Sequence, residues 1–393
     1  MSSDDRLTIA LVLDDDLDRP DGVQQYVLTV ANGLRERGHD VHLVTPTTRR
    51  TDLPNLHVVG RHIATTFNGN RVRTPLGAPR SQVTALLAGV RPDVLHVQMP
   101  HSPLLAGRFV RAVAPDVAVV GSFHIAPGSR LADAGSRLLG AVERRELRRF
   151  DTVLAMSDTA RDFARTAYGL VTTPATMPVH LDRAPGTEPL TSPLADDDSR
   201  PVRIVFLGRL VERKGARELL AALHVLADQH LAHRPWTAEL AGTGPQEQLL
   251  TRYVAEHGLT GQVTLSGFVA EADKSALLAS GDLVVLPSTG GESFGISVVE
   301  ALAVARGVVL AGDNPGYRTP MAGLEHQLLD PRDPVTFART LARWIDDPAA
   351  RASAIGPQRA RAAQFDTEVA IDQTEDIYRA ALDRRRALLR TVD

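Results

Sequence analysis

The feature that most constrains this chain is an alternation, run through twice, of short apolar stretches with segments of helical periodicity. Leu7 to Leu13 is an apolar run closed by Asp14-Asp15-Asp16, and Tyr26, Val27, Val30, Ala31 and Leu34 then recur at helical spacing until Gly38. Further runs lie at 41–45, 56–59, 94–97, 117–120 and 153–155, with helical patterns at 81–89, 104–113 and 131–150. Continuous rather than alternating apolar runs belong to strands covered on both faces, and strands alternating with helices predict a parallel, doubly wound sheet. The series breaks at 183–201, which is rich in Pro, Thr, Ser, Gly and Asp and has no apolar period, as a linker requires. It restarts with strands at 202–207, 238–241, 263–269, 282–287 and 308–311 and helices at 216–228, 275–280, 296–304, 334–345 and 349–363. A long Arg-rich helix over 367–389 closes the chain. At 393 residues there is room for two domains with a core each. The expected division is 1–182, a linker 183–201 and 202–366, with 367–393 completing the first domain.

Composition removes several function classes. There is no cysteine, so neither a disulfide framework nor a thiolate metal site is available. The first residues are acidic and lead straight into a strand, so no signal peptide is read there, and no apolar run approaches the ~20 residues that span a bilayer. The expectation is a cytoplasmic protein, peripheral at most at the inner face of the plasma membrane. The net charge of −3 hides an asymmetry: between Arg49 and Arg149 there are fifteen arginines against six acidic residues. That balance suits an anionic partner such as a membrane surface or a phosphorylated acceptor, while no nucleic-acid partner is expected. Only Lys214 and Lys274 are lysines, which suggests two places where a compact point charge is wanted and a planar fork is not.

Doubly wound sheets bind ligands beyond the carboxyl ends of their strands, and several candidate groups fall at such ends. Gly22, after the first strand, is placed for close backbone approach, with Gln24 two residues on. His124, in Ser122-Phe123-His124, follows the run 117–120. Gly208, Arg209 and Lys214 share the loop after 202–207, giving two charges of the kind a departing diphosphate requires. Glu271 and Lys274 lie in a loop before the helix expected at 275–280. The richest stretch is Gly290 to Glu300, a Gly-rich turn from strand to helix whose unpaired N–H groups favour an anion. Glu292 lies in that loop, and Glu300 lies roughly 9 Å along the helix from Phe294, at 1.5 Å per residue.

The strings DGVQQYVLTVANGLRERGHDV, FNGN, SFH, FLGRLVERKG, GFVAEADKSALLASGDLVVLP and GGESFGISVVEA resemble those of the retaining glycosyltransferases of family 4 over nearly the full length. The resemblance implies the GT-B fold, two doubly wound Rossmann-like domains facing a central crevice, with the terminal helix returning to the first. It implies donor contacts from Gly22, Gly208, Val269, Glu271, Lys274, Phe294, Gly295, Ile296 and Glu300. It gives His124 and Glu292 the transferred sugar, Arg209 and Lys214 the leaving diphosphate, and Gln24 and Asn68 the acceptor. Mannose from GDP-mannose, with Glu271 reading guanine, and phosphatidylinositol as acceptor are the implied substrates. The alternatives are a UDP-sugar with a soluble alcohol, or a sugar-nucleotide-binding protein without turnover. No metal site and no required cofactor are expected, a divalent cation being at most stimulatory. The chain departs from the family pattern at Asp21, at Gln98 to Pro103 where a His-Glu-Pro motif is usual, at Met177 to Asp182, and near Arg80, where a basic cluster is usual.

Overall fold

The computed structural model describes residues 6–18, 22–67, 70–76, 78–100, 102, 104–124, 144–181 and 200–391. The chain divides into two compact units, Met1–Pro178 with Thr367–Asp393, and Val179–Asp366. The expected linker, apart from its last two residues, lies outside the described residues. So does most of the helix expected at 131–150, of which Arg144–Leu147 is one described turn.

In the first unit a seven-stranded parallel sheet has the order β3-β2-β1-β6-β7-β8-β9. Its strands are β1 (Thr8–Val12), β2 (Asp40–Thr45), β3 (Leu56–Val58), β6 (Val94–Gln98), β7 (Ala118–Phe123), β8 (Thr152–Ala155) and β9 (Thr173–Pro174). The central strands β6 and β7 are buried at every position, which is why their sequences read as unbroken apolar runs. Helix α1 (Gly22–Glu36) turns Tyr26, Val27, Val30, Ala31 and Leu34 inward. α2 (Arg80–Val90) and α3 (Leu105–Ala112) bring Val83, Leu87, Phe109 and Val110 into the core under β1 and β6. After α4 (Arg144–Leu147), α5 (Asp158–Tyr168) is capped by the Ser157 side chain.

A two-stranded antiparallel hairpin, β4 (Arg61–Phe67) with β5 (Asn70–Leu76), was not foreseen. Its sequence mixes Thr, Val and Ile with Arg, His and Asn, so it shows strand formers without the apolar run that marks a core strand. At the tip of β1, Asp14 Oδ1 accepts the backbone N–H of Ala106 at the start of α3. Burial pushes its carboxyl up to about 6 from 3.8. The folded state therefore holds a proton that the unfolded chain has lost between those values, so this group's contribution falls as pH rises through about 6. Asp14→Asn keeps the acceptor and removes the charge. Its Tm is expected to exceed that of the parent at pH 8, with the gap closing as pH falls towards 4, measured by scanning calorimetry.

In the second unit a six-stranded parallel sheet has the order β12-β11-β10-β13-β14-β15. The strands are β10 (Val202–Leu207), β11 (Trp236–Ala241), β12 (Val263–Gly267), β13 (Leu283–Leu286), β14 (Val308–Gly312) and β15 (Leu328–Leu329). The helices are α6 (Ala216–Asp228), α7 (Glu247–Glu256), α8 (Glu271–Ala279), α9 (Ile296–Val304), α10 (Pro315–Arg318), α11 (Pro334–Asp346) and α12 (Pro348–Ala363). Leu219 and Leu223 of α6 meet Phe337 and Leu341 of α11 over Ile204 and Phe206 of β10, in one apolar cluster. Burying a side chain of this size contributes about 1.5–3 kcal/mol. One boundary is corrected: α8 begins at Glu271 rather than Ser275, with Ala270 in extended conformation as its cap. Glu271 and Lys274 are therefore first-turn residues, not loop residues.

The last helix, α13 (Thr367–Arg390), belongs to the first unit and buries Ala370, Ile371, Tyr378, Ala381 and Leu382. Arg37, just beyond α1, reaches Glu368 at 3.0 Å and Asp372 at 2.5 Å on it. Both acids are more than two-thirds exposed, so these pairs add little beside the apolar face.

Candidate active site

In the second unit the loops leaving β10 and β13 meet, because those strands are neighbours in the sheet. The β10 loop runs from Gly208 through a 3-10 turn at Glu212–Lys214. Its backbone is tied to the β13 loop: the Arg213 carbonyl accepts the Thr289 N–H at 2.9 Å and the Ser288 hydroxyl at 2.8 Å. Glu292 closes the join. Its Oε1 lies 2.5 Å from Arg213 Nη1, 3.0 Å from Lys214 Nζ and 2.9 Å from Ser288 Oγ. The Glu292 and Lys214 side chains are only 10% and 18% exposed, so loss of Glu292 leaves both cations without their carboxylate, whereas loss of Lys214 leaves Glu292 on Arg213.

Arg209 stands apart. It is exposed, and its side chain makes no ion pair or hydrogen bond among the described residues. An arginine held at the end of a core strand with nothing to pair with is ready for an anion.

The turn into α9 is built on Tyr317. Gly295 adopts φ +94° there, and a Cβ at that position would lie 2.5 Å from the Tyr317 ring. Glycine is thus required twice over, by conformation and by close approach. Burial and the nearby Glu292 charge raise the Tyr317 hydroxyl above its usual range. Asn314 caps α10, accepting the N–H groups of Gly316 and Tyr317, and its amide donates to the Ser288 carbonyl at 3.0 Å. Phe294 is buried edge-to-face on Phe365, with ring centroids 5.2 Å apart. Its backbone, not its ring, is what the turn offers. The N–H groups of Ile296 and Ser297 lack intrahelical acceptors, as at any helix start, while Val298 already donates to the Gly295 carbonyl at 2.9 Å. Glu300 is half-buried one turn further along the same helix.

The expected base-binding residues form a separate group at the start of α8. Val269 is half-buried, and Phe268 beside it is 78% exposed. Lys274 Nζ lies 2.6 Å from Glu271 Oε2, and the Glu271 side chain is 80% exposed.

In the first unit Gly22 opens α1, and Gln24 is 4% exposed, its amide 3.3 Å from Asp15 Oδ2. Asn68 lies outside the described residues. His124, at the end of β7, is 3% exposed, 2.6 Å through Nε2 from Gln98 Oε1, and edge-on to Tyr26 at 4.7 Å between centroids. Burial pushes it down to about 3, so it is neutral. A cavity of about 600 Å³ in this unit gathers Arg80, Arg108, Arg111, Arg149 and Glu146. Most of that charge is already engaged: Arg111 on Glu146 at 3.0 Å, Arg149 on the Ala114 and Val117 carbonyls, and Arg108 on the Ala78 carbonyl. No described helix is long and apolar enough to cross a membrane, and no described cluster of His, Asp and Glu is placed to hold a metal ion.

Sequence reasoning brought forward Lys214 and Glu292 but not Arg213, the second cation on Glu292. Its signal was present, as the residue before Lys214 in FLGRLVERKG. Ser288 and Tyr317 carried no comparable signal, and Gln98 was marked by its place at a strand end and by its departure from a motif, not as a functional group.

Two parallel α/β units whose candidate groups cluster at strand ends are the architecture of known GT-B proteins. An Anabaena protein, Alr3699/HepE, solved in complex with UDP, matches with a TM-score of 0.67 at 18% identity, over 94% of this chain and 99% of that one. Family profiles agree in sequence: Glycosyltransferase Family 4 matches residues 20–177, and Glycosyl transferases group 1 matches 195–361. A phosphatidyl-myo-inositol mannosyltransferase of Mycolicibacterium smegmatis is 30% identical over 379 residues, covering 95% of this chain and 93% of its own. A glycogen synthase of Mycobacterium tuberculosis is 25% identical over 397 residues, covering 92% and 91%. The fold is that of a GT-B glycosyltransferase. The chain belongs to glycosyltransferase family 4.

Proposed function

We propose that the chain transfers mannose from GDP-mannose to a hydroxyl of phosphatidylinositol, with retention at the anomeric carbon, as a peripheral protein at the inner face of the plasma membrane. The observation that carries the transfer is the β10 loop: Arg209 on it has no side-chain partner among the described residues, and half-buried Lys214 reaches Glu292 of the Gly-rich turn into α9 at 3.0 Å. The bond from the anomeric carbon to the diphosphate oxygen breaks as the bond to the acceptor oxygen forms. The acceptor proton passes to a leaving-group phosphate oxygen on the same face. Arg209, Lys214 and the N–H groups of the Phe294-Gly295 turn neutralise the charge that grows on the diphosphate. Glu292 and His124 orient the sugar, and Glu300 holds the ribose. No protein-held cofactor enters these steps.

Mannose and the lipid acceptor rest on the Mycolicibacterium relative, which is similar along 93% of its length. A second reading, a UDP-sugar and a soluble alcohol, is favoured by the Glu271–Lys274 pair, because a carboxylate already bonded to its own lysine is less available to guanine. Thermal stabilisation by GDP-mannose, UDP-glucose and UDP-GlcNAc separates the donors. The expected result is a larger Tm shift with GDP-mannose than with either UDP-sugar, since Glu271 would accept the paired N1–H and N2–H donors of guanine. Equal shifts count against GDP-mannose. Product analysis with phosphatidylinositol vesicles and with a soluble alcohol then separates the acceptors.

A further inference from the structure

On one face of the first sheet, β6 and β7 carry two histidine pairs in series. Side chains two apart on a strand share a face, so His96 and Gln98 of β6 line up with Ser122 and His124 along β7. The inner pair is closed: His96 lies 2.6 Å through Nε2 from Ser122 Oγ and 2.6 Å through Nδ1 from the Tyr378 hydroxyl. The outer pair is half open. His124 Nε2 lies 2.6 Å from Gln98 Oε1, but His124 Nδ1 and Gln98 Nε2 have no partner among the described residues. The two side chains are 3% and 0% exposed. Buried polar atoms of native proteins are almost always bonded. One unused acceptor and one unused donor on a single pair, beside a closed pair of the same kind, mark a place that a ligand completes.

We propose that Gln98 is a positioning residue that fixes His124 as its neutral Nε2–H tautomer, leaving Nδ1 as the acceptor for a hydroxyl of the bound substrate. This rests on the sugar-orienting role given to His124 above. An amide oxygen can only accept, so the ring nitrogen facing it carries the hydrogen, and the lone pair of a neutral imidazole then falls on the other nitrogen. Burial keeps the ring neutral, and the groups packed around it carry no charge that would offset this. Tyr26 from α1 has its hydroxyl raised by burial, His96 from β6 is pushed down to about 3 by burial and by His124, and Tyr378 from α13, near Tyr26 and His96, is raised by burial. An Nδ1 lone pair accepts from a hydroxyl and repels a carboxylate or phosphate oxygen. The substrate group set against Nδ1 is therefore a neutral hydroxyl.

The test is the nitrogen NMR spectrum of protein labelled in histidine, with His124 identified by the signal lost in His124→Gln. The expected spectrum has Nε2 protonated and Nδ1 bare, with no titration above pH 5, and Nδ1 shifts when GDP-mannose is added. Gln98→Glu sets a carboxylate beside Nε2, favours the imidazolium and turns Nδ1 into a donor. Its kcat at pH 6.5 is expected to fall about a hundredfold and to recover as pH rises through the new His124 pKa. Gln98→Met keeps the shape without the acceptor, mixes the two tautomers, and costs about tenfold in kcat. An Nδ1-protonated His124 in the parent protein, or a Gln98→Glu pH profile identical to the parent's, overturns the proposal. The spectrum needs no turnover, so an absence of sugar transfer defeats the transferase reading and leaves the tautomer decided on its own. Transfer lost in His124→Gln, together with an Nδ1–H parent, does the reverse.

Discussion

Arg209→Ala is expected to lower turnover about a hundredfold and to leave Tm unchanged. A contact to charge that develops in the transition state is worth about 3 kcal/mol, which is that factor in rate. The native fold loses nothing with it, because the Arg209 side chain is exposed and has no partner among the described residues, and such surface changes stay within about ±0.5 kcal/mol. Lys214→Ala is expected to match it in rate but not in stability. Lys214 is one of two cations on Glu292, and its loss leaves a carboxylate that is 10% exposed held by Arg213 and Ser288 alone. A small fall in Tm is expected for that variant and not for Arg209→Ala. Steady-state kinetics with the active donor and calorimetry on both proteins check the pair. Near-normal turnover in both would remove the diphosphate from this loop. Lys214→Arg refines the test, since a guanidinium beside Arg213 cannot sit on Glu292 as a point charge does.

Much of the architecture was open to sequence reading because its strands are buried on both faces. The run 202–207 coincides with β10, and the helix read at 216–228 coincides with α6. The start of α8 was missed for a physical reason: Glu271, Ala272 and Asp273 carry no apolar period, and Ala270 caps the helix with no side-chain hydrogen bond. The β4–β5 hairpin was missed because its strand formers are interspersed with charge. The site divides in the same way. Lys214 and Glu292 could each be picked out from a local string, but their contact depends on β10 and β13 being neighbours, a strand order that periodicity does not encode. The clamp from Ser288 and Arg213 is 75 residues apart in sequence. The Gln98–His124 pair was closer to legible, since β6 and β7 are consecutive strands that pair directly, Gln98 opposite Ser122. What hid it was residue type, because an amide in a buried strand reads as a departure from a motif rather than as a functional group.

Gly242→Ala is expected to be the most damaging single-methyl change in the second unit's site, although residue 242 contributes no side chain to it. Gly242 has φ +138°, and a Cβ there would stand 1.9 Å from the Gly208 carbonyl oxygen. Its own N–H is fixed to the Gly267 carbonyl at 2.6 Å, while Gly208 is fixed to the Ala241 carbonyl at 3.0 Å. Neither side can retreat without breaking a bond between strand ends. The conformation costs an alanine about 1–3 kcal/mol, and the forced displacement about as much again. For a unit of this size each kcal/mol lowers Tm by roughly 2–4 °C, so a fall of about 4–24 °C is expected. Because the displaced backbone leads directly into Arg209, the donor KM rises in the protein that still folds. Gly258→Ala is the control: φ is +67° and nothing lies within 4 Å of the added methyl, so it costs only the left-handed backbone, about 1–2 kcal/mol, and leaves KM alone. Melting curves and donor KM for the two variants, side by side, decide the matter. Equal Tm values would mean that the β10 loop yields freely at Gly208, and a loop that soft could not hold Arg209 in place against a departing diphosphate.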